Sequence, residues 1–208
     1  MIPEQERLLI EVMAESHLPQ VVSQHLKVLG HTFNASLGAP YLLNLYQQLV
    51  RSPLGLGFVA VIDRQVKGFV SATADSAQFQ RELFWHLSAS SRLTLLRRLL
   101  TPRGFGQFVI TLLVNRPVTL EGQRIQASLL TLGVDSSALG QGVGRSLVNA
   151  ISAEMRRRGI ARYHLNTLVS DPQGQAFYRA LGFQLWRVRF GNAIFIHTSG
   201  GGRWKVEG

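Results

Sequence analysis

The stretch Leu129-Leu-Thr-Leu-Gly-Val-Asp-Ser-Ser-Ala-Leu-Gly-Gln-Gly-Val-Gly144, continued by Arg-Ser-Leu-Val-Asn-Ala-Ile-Ser-Ala-Glu-Met-Arg-Arg-Arg-Gly159, decides the fold. Ser128 to Val134 is short, apolar and compatible with a buried strand. Gly140, Gly142 and Gly144 then alternate with Gln141 and Val143. From there Val143, Leu147, Ala150, Ile151 and Met155 recur near helical spacing, Arg156, Arg157 and Arg158 fill the last turn, and Gly159 stops the helix. Cations oppose the negative end of a helix, and glycine accepts the left-handed conformation that commonly closes one.

Chemistry is expected at the turn between strand and helix. Glycine permits positive φ and removes the Cβ atoms that would hold a ligand away. Unpaired N–H groups at a helix start face an anion, helped by the helix dipole, so the turn suits a phosphate or pyrophosphate. Two nucleotide motifs fail on spacing. A dinucleotide fingerprint needs G-x-G-x-x-G, but after Gly140 and Gly142 the third position holds Arg145, and Ala161 to Leu165 contains no acidic residue. A P-loop needs Gly-Lys-Ser/Thr, and here Gly144 leads to Arg145 and Ser146.

A third pattern fits. Leu132-Gly133-Val134, a short linker and Leu139-Gly140-Gln141-Gly142-Val143-Gly144 resemble the coenzyme A signature of the GNAT (GCN5-related) N-acetyltransferase superfamily. That signature is Arg/Gln-x-x-Gly-x-Gly/Ala after a strand ending in an apolar-x-Val step. Gly142 and Gly144 match; Leu139 stands where Arg or Gln is usual. A second segment, Asp171-Pro-Gln-Gly-Gln-Ala-Phe-Tyr-Arg-Ala-Leu-Gly-Phe183, is similar to the family's Asn-x-x-Ala-x-x-Phe/Leu-Tyr-x-x-x-Gly-Phe. Phe177, Tyr178, Gly182 and Phe183 match, while Asp171 replaces Asn and Gly174 replaces Ala. With flanking strands the resemblance covers residues 58–73 and 124–198.

The resemblance implies one α/β domain over residues 1–208: a GNAT fold, with a mixed central sheet flanked by helices and a helical insertion near 75–120 between the third and fourth strands. It implies acetyl-CoA as acyl-donor cosubstrate, no metal, and direct transfer to a primary amine. The cofactor residues carried over are Leu132, Gly133, Val134, Leu139, Gly140, Gln141, Gly142, Val143, Gly144, Arg145 and Asp171. A backbone N–H near Val134 is implied to bond the acetyl carbonyl and its developing charge. Tyr178 is implied to protonate the departing thiolate. Histone-type members carry a Glu on the cofactor strand where this chain has Ser128, and Ser128 to Val134 holds no carboxylate. A water chain, His31, Glu82 or His86 are the open alternatives for deprotonating the amine.

Composition narrows the class. The chain has 208 residues, 46% hydrophobic and 16% charged, which suits one sizeable core and excludes a disordered chain. With no cysteine there is no disulfide, thiolate metal site or cysteine nucleophile. No His pair has metal-ligand spacing, and no G-x-S-x-G turn exists. The net charge of +10 favours a phosphate-bearing partner, but no basic run exceeds three residues and no aromatic-interleaved basic stripe marks nucleic acid binding. Glu4, Glu6, Glu11 and Glu15 exclude a secretory signal, and Phe108 to Val114 is too short to span a bilayer, so a soluble cytoplasmic protein is expected.

In chain order, residues 5–16 read as a short helix or a strand. Pro19 opens a helix ending at Gly30, and Pro40 to Val50 reads as the next, broken by Pro53, Gly55 and Gly57. Phe58–Ile62 and Val66–Thr73 read as a hairpin turning at Asp63-Arg-Gln65. Phe79–Leu87 and Ser91–Leu100 look helical, with Leu93, Leu96 and Leu100 opposite Arg92, Arg97 and Arg98, and Pro102 and Gly104 as the stop. A basic amphipathic helix at 91–100 can lie on anionic lipid; the expectation is an ordinary surface helix with a solvated face. Arg162–Val169 alternates as a strand, Asp171-Pro172 caps a helix burying Ala176, Phe177, Ala180 and Leu181, and Gln184–Phe190, Gly191-Asn192 and Ala193–Thr198 read as a closing hairpin. The tail 199–208 is expected to be loose.

The expected function is acetyl transfer to a small-molecule amine acceptor such as an amino sugar. A protein acetyltransferase acting on an N-terminus or lysine is the second enzyme reading, distinguished by an open groove instead of a closed pocket under residues 75–120. A non-catalytic coenzyme A-binding or interaction module is the third. Nothing in the sequence specifies an oligomeric state.

Overall fold

The computed structural model describes residues 8–114 and 117–198; the expected loose tail lies outside them. In chain order the described elements are β1 (Leu9–Val12), α1 (Leu18–Leu29), the single turn α2 (Phe33–Ser36), α3 (Gly38–Arg51), β2 (Gly55–Ile62), β3 (Gln65–Thr73), α4 (Ser76–His86), α5 (Ala89–Leu99), α6 (Pro102–Val114), β4 (Val118–Leu120), β5 (Gln123–Ile125), β6 (Ser128–Val134), α7 (Val143–Arg157), β7 (Arg162–Leu168), α8 (Pro172–Ala180), β8 (Gln184–Arg189) and β9 (Asn192–Thr198). Seven strands form one mixed sheet in the order β1-β2-β3-β6-β7-β9-β8, and β4 and β5 form a separate hairpin. Among the described strands only β6 and β7 run parallel, as a strand–helix–strand crossover through α7 requires. The ambiguous start is β1, paired antiparallel with β2, followed by a 3-10 turn over Glu15–His17.

Alternating side chains divide the core between the sheet's two faces. Ala60, Val70, Ala72 and Leu129 meet Val143, Leu147, Val148, Ile151 and Met155 of α7. Val59, Val66 and Phe69 meet α1 and α3, with Phe79, Leu83 and Leu95 of the insertion added to the same cluster. The β2–β3 hairpin turns on Asp63 and Arg64, both at positive φ (50° and 60°), the two-residue turn whose twist suits paired antiparallel strands.

Four expectations are corrected. Gly55 and Gly57 lie within β2 and do not break the chain: a Cβ on Gly57 would stand 3.0 Å from Met13 Cβ and 3.2 Å from Leu49 Cδ2, so glycine there permits close packing. Pro102 opens a third insertion helix, α6, as well as ending the second. A proline lacks only an N–H that the first helical turn leaves unused, and Thr101 Oγ accepts from the Gly104 N–H at 3.1 Å. On α8, Phe177, Tyr178 and Leu181 turn toward the core while Ala176 and Ala180 are exposed. The last hairpin turns on Phe190 and Gly191 (φ 48° and 71°), one residue earlier than expected.

Candidate functional site

The glycine turn follows β6 directly. Gly140 and Gly142 both have φ of 79°, and a Cβ on either would meet nothing within 4 Å, so the requirement for glycine is conformational and the space in front is open. Gly142 is the N-cap of α7. The first intrahelical bond runs from the Ser146 N–H to the Gly142 carbonyl at 3.0 Å, leaving the amides of Val143, Gly144 and Arg145 without an intrahelical acceptor. Leu139, Gln141 and Arg145 are exposed around this rim, and Gln141 Nε2 donates to the Ser137 carbonyl at 3.1 Å. Such a cradle fits a pyrophosphate group.

β6 presents a second set of free amides. It pairs with β3 from Gly68↔Val134 to Thr73↔Ser128, but with β7 at Ser128↔His164 alone. Beyond Ser128 the parallel strands part. The Asp135 N–H donates to the Lys67 carbonyl at 2.7 Å, so alternation directs the Gly133 N–H toward β3 and those of Leu132 and Val134 toward the opened edge. Gly133 itself faces inward: a Cβ there would stand 2.6 Å from Phe69 Cε1 and 2.9 Å from Val28 Cγ2. Its role is to let α1 and β3 close on β6.

Sequence reasoning passed over Asp135. Its buried carboxylate accepts from Lys27 Nζ (2.7 Å), Ser137 N (3.0 Å), Ser137 Oγ (2.9 Å) and Gln24 Nε2 (3.1 Å). The Lys27 ammonium first, then the Ser137 and Gln24 donors, hold it far below the usual carboxylate range. It ties the start of the glycine turn to α1. A lone Asp after a strand carries no signal of partners 111 residues away.

The two sequence segments meet at Gly144. A Cβ there would be 3.2 Å from Phe177 Cζ and 3.7 Å from Val134 Cγ2, so the glycine admits the α8 ring against the first turn of α7. Tyr178 packs on Phe177 and Phe183, with ring centroids 5.2 and 5.5 Å away. It therefore joins the half-buried face of α8. Burial first, and then the Asp171 carboxylate, push its phenol above the usual value. Asp171 caps α8, its Oδ1 accepting from the Gly174 N–H at 2.9 Å. A Cβ at Gly174 would stand against that carboxylate as it caps the helix.

On the α3 face of β6 lies a cavity of about 570 Å³. Its walls come from α2, α3 and the insertion, with Tyr41, Leu45, Phe79, Leu83, Leu95 and Phe108 prominent, and its floor reaches Ser71, Leu130 and Thr131. Arg81 is the one charged residue of the lining, and no carboxylate is present. The candidate bases His31, Glu82 and His86 are all outside it. Glu82 instead accepts from Ser52 Oγ (2.8 Å), Gln78 (3.0 Å) and Gln48 (3.3 Å), and His86 Nδ1 lies 2.7 Å from the Glu82 carbonyl. Tyr46 lines the cavity with its hydroxyl 2.7 Å from His25 Nδ1, a pairing that the sequence spacing did not reveal. Burial pushes His25 down to about 4 and Tyr46 up, so both are neutral and neither is a strong base at pH 7. Among the described residues no group of three His, Cys, Asp or Glu is placed to hold a metal ion.

The profile of the Acetyltransferase (GNAT) family matches residues 28–183. No curated protein matches the chain by sequence. Among solved structures, aminoglycoside N-acetyltransferase AAC(6')-Iy in complex with CoA is similar in fold, with TM-score 0.63 and 16% identity over 91% of this chain and 97% of that one. The paia N-acetyltransferase from Thermoplasma acidophilum, in complex with coenzyme A, gives TM-score 0.58 and 14% identity over 93% and 99% of the two chains. The ribosomal-protein-S18-alanine N-acetyltransferase from Escherichia coli gives 0.55 and 15% over 96% and 100%. With the profile spanning β3, the glycine turn and α8, the chain belongs to the acetyltransferase (GNAT) family and is an N-acetyltransferase.

Proposed function

We propose that the chain moves the acetyl group of acetyl-CoA directly onto the primary amine of a small molecule with an apolar body, all within one catalytic domain. The observation that carries this reading is the single bridge between β6 and β7, beyond which the strands part next to the glycine turn. Acetyl-CoA supplies an activated acyl group. The turn from Leu139 to Arg145 binds its phosphates, chiefly through the amides of Val143, Gly144 and Arg145. The amides of Leu132 and Val134 orient the thioester carbonyl and stabilise charge as it develops on the oxygen. Gly133 and Asp171 support this site from behind, by packing and by capping α8.

Tyr178 is the hydrogen-bond donor to the leaving sulfur. Because burial holds its proton tightly, it stays a neutral donor across the working pH range. Apolar walls and the Arg81 guanidinium both disfavour a cation, which lowers the acceptor's own pKa, and water takes the proton. A concave cavity walled by α3 and by helices α4 to α6 supports a small acceptor over a polypeptide. Its mostly apolar walls support an aryl or alkyl body over an amino sugar, with Asn34, Gln80 and Thr111 among the few polar side chains that could meet single polar groups on it. The test is release of free CoA thiol across a panel of aryl-alkyl amines, amino sugars and peptides. Turnover concentrated in the first group is expected, with Tyr178→Phe lowering kcat about 100-fold at unchanged acetyl-CoA affinity. Turnover with peptides or amino sugars alone sinks the acceptor assignment, and an unaltered Tyr178→Phe enzyme sinks the donor role.

A further inference from the structure

Between Leu83 and Leu120 the chain has no Asp or Glu, yet it carries Arg92, Arg97, Arg98, Arg103 and Arg116. Five of the protein's net ten positive charges thus fall in one uninterrupted stretch. The same stretch leaves its apolar groups outside. Of the sixteen large hydrophobic side chains exposed among the described residues, seven lie between Phe84 and Ile110.

The orientation of α5 accounts for this. Its buried side is Ser91 and Leu95, with Ser91 Oγ donating to Asn44 Oδ1 on α3 at 2.8 Å. Leu93, Leu96 and Leu100, which share another face by their spacing, point away from the core, and Leu96 and Leu100 are 59% and 83% exposed. At the end of α4, Trp85 is 79% exposed and Phe84 57%, and Phe105 at the start of α6 is 56% exposed. Arg92 donates to the Trp85 carbonyl at 2.9 Å, fixing the α4 end beside α5. This is the reverse of an ordinary surface helix, whose solvated face is polar.

We propose that α4 to α6 seat the enzyme on an anionic phospholipid bilayer, with Leu93, Leu96 and Leu100 entering the headgroup boundary and Arg92 and Arg97 meeting lipid phosphates. Leucines with an interfacial Trp, flanked by the exposed Arg92 and Arg97 on long apolar stems, match what such a boundary solvates. A second copy of the chain is a poor occupant, because a two-fold contact would set this carboxylate-free patch against itself. Nucleic acid would use the arginines but leave the leucines and Trp85 in water. Phe84 also lines the cavity described above, so docking places the cavity mouth toward the lipid. The inference stands on exposure and charge and does not depend on the proposed acceptor.

The test is sedimentation of the full chain with vesicles of phosphatidylcholine, with or without phosphatidylglycerol. Binding to the anionic vesicles is expected, at least about 10-fold weaker on pure phosphatidylcholine and reduced by salt. Leu96→Glu with Leu100→Glu should lose that binding about 10-fold or more while keeping its melting temperature and acetyl-CoA affinity, since both positions are exposed. Absence of binding to anionic vesicles overturns the proposal, as does binding that the double variant retains. A wild-type dimer in solution that the double variant converts to monomer overturns it too, by assigning the patch to a second copy.

Discussion

On one side of β6 the turn from Leu139 to Arg145 works through main-chain amides held by two positive-φ glycines. On the other, the cavity takes its lining from seven elements spread between Phe33 and Thr131. The first arrangement suits a ligand part that never changes, because backbone donors recognise a pyrophosphate whatever the side chains are. The second suits an acceptor that differs between enzymes of one fold, because its walls come largely from helices α2 to α6, outside the sheet. The contrast extends to charge. The turn offers the polarity of a helix start, and the stretch from α4 to α6 offers arginine side chains.

If that division holds, damage to the turn abolishes donor binding and leaves the cavity intact. Gly142→Glu with Gly144→Glu places a side chain at φ 79°, pushes a Cβ to 3.2 Å from Phe177, and adds two carboxylates facing the phosphates. Calorimetric titration with acetyl-CoA should show affinity falling more than about 100-fold, or about 2.7 kcal/mol. A double variant that still binds acetyl-CoA like the wild type would show that the turn is only a structural connection.

The same division explains which parts could be read from the sequence. β6, the turn and α7 were readable because periodicity, three glycines and a terminal arginine cluster all lie within one contiguous stretch. Asp171-Pro172 announced α8 through its cap chemistry, but not which side faces in, since Ala176 and Ala180, expected in the buried stripe, are exposed and Tyr178 takes part in it. Pro102 was read as a stop when it is also a start; the two look alike until Thr101 is seen to cap. The cavity could not be read at all. Its residues have no common period, and Asp135 gains its meaning from Lys27 and Gln24, which only folding brings near.

A smaller effect is expected from filling the cavity. Ala77 lines it from the first turn of α4, and Ala77→Trp would occupy space that the acceptor's body needs. In steady-state assays with the best apolar amine, KM should rise about 10-fold, the equivalent of about 1.4 kcal/mol, with acetyl-CoA affinity unchanged. Equal losses in both substrates would mean that the two sides of β6 are not separable.

The smallest effect concerns stability, and both of its probes lie on the α1 face of the sheet, since His164 alternates with Tyr163 and Leu165 of the α7-side core. His25 on α1, stacked 5.9 Å from Phe69, and His164 on β7 are both buried, and burial pushes each down to about 4. A histidine of the unfolded chain titrates near 6.5, so between pH 6.5 and 4 the unfolded state holds more protons. Stability is therefore full above about pH 6.5 and falls as the pH drops toward 4. Each histidine should cost about 1 kcal/mol between pH 6.5 and 5.5, read as a lowered urea midpoint. Asp135 and Glu154, both held low, lose their contribution only below about pH 4, outside this window. His25→Gln and His164→Leu should each remove one share of the slope. A urea midpoint unchanged from pH 6.5 to 5.5 in the wild type would mean that both rings meet solvent, and an unequal pair would locate the acid-sensitive packing at one of the two rings.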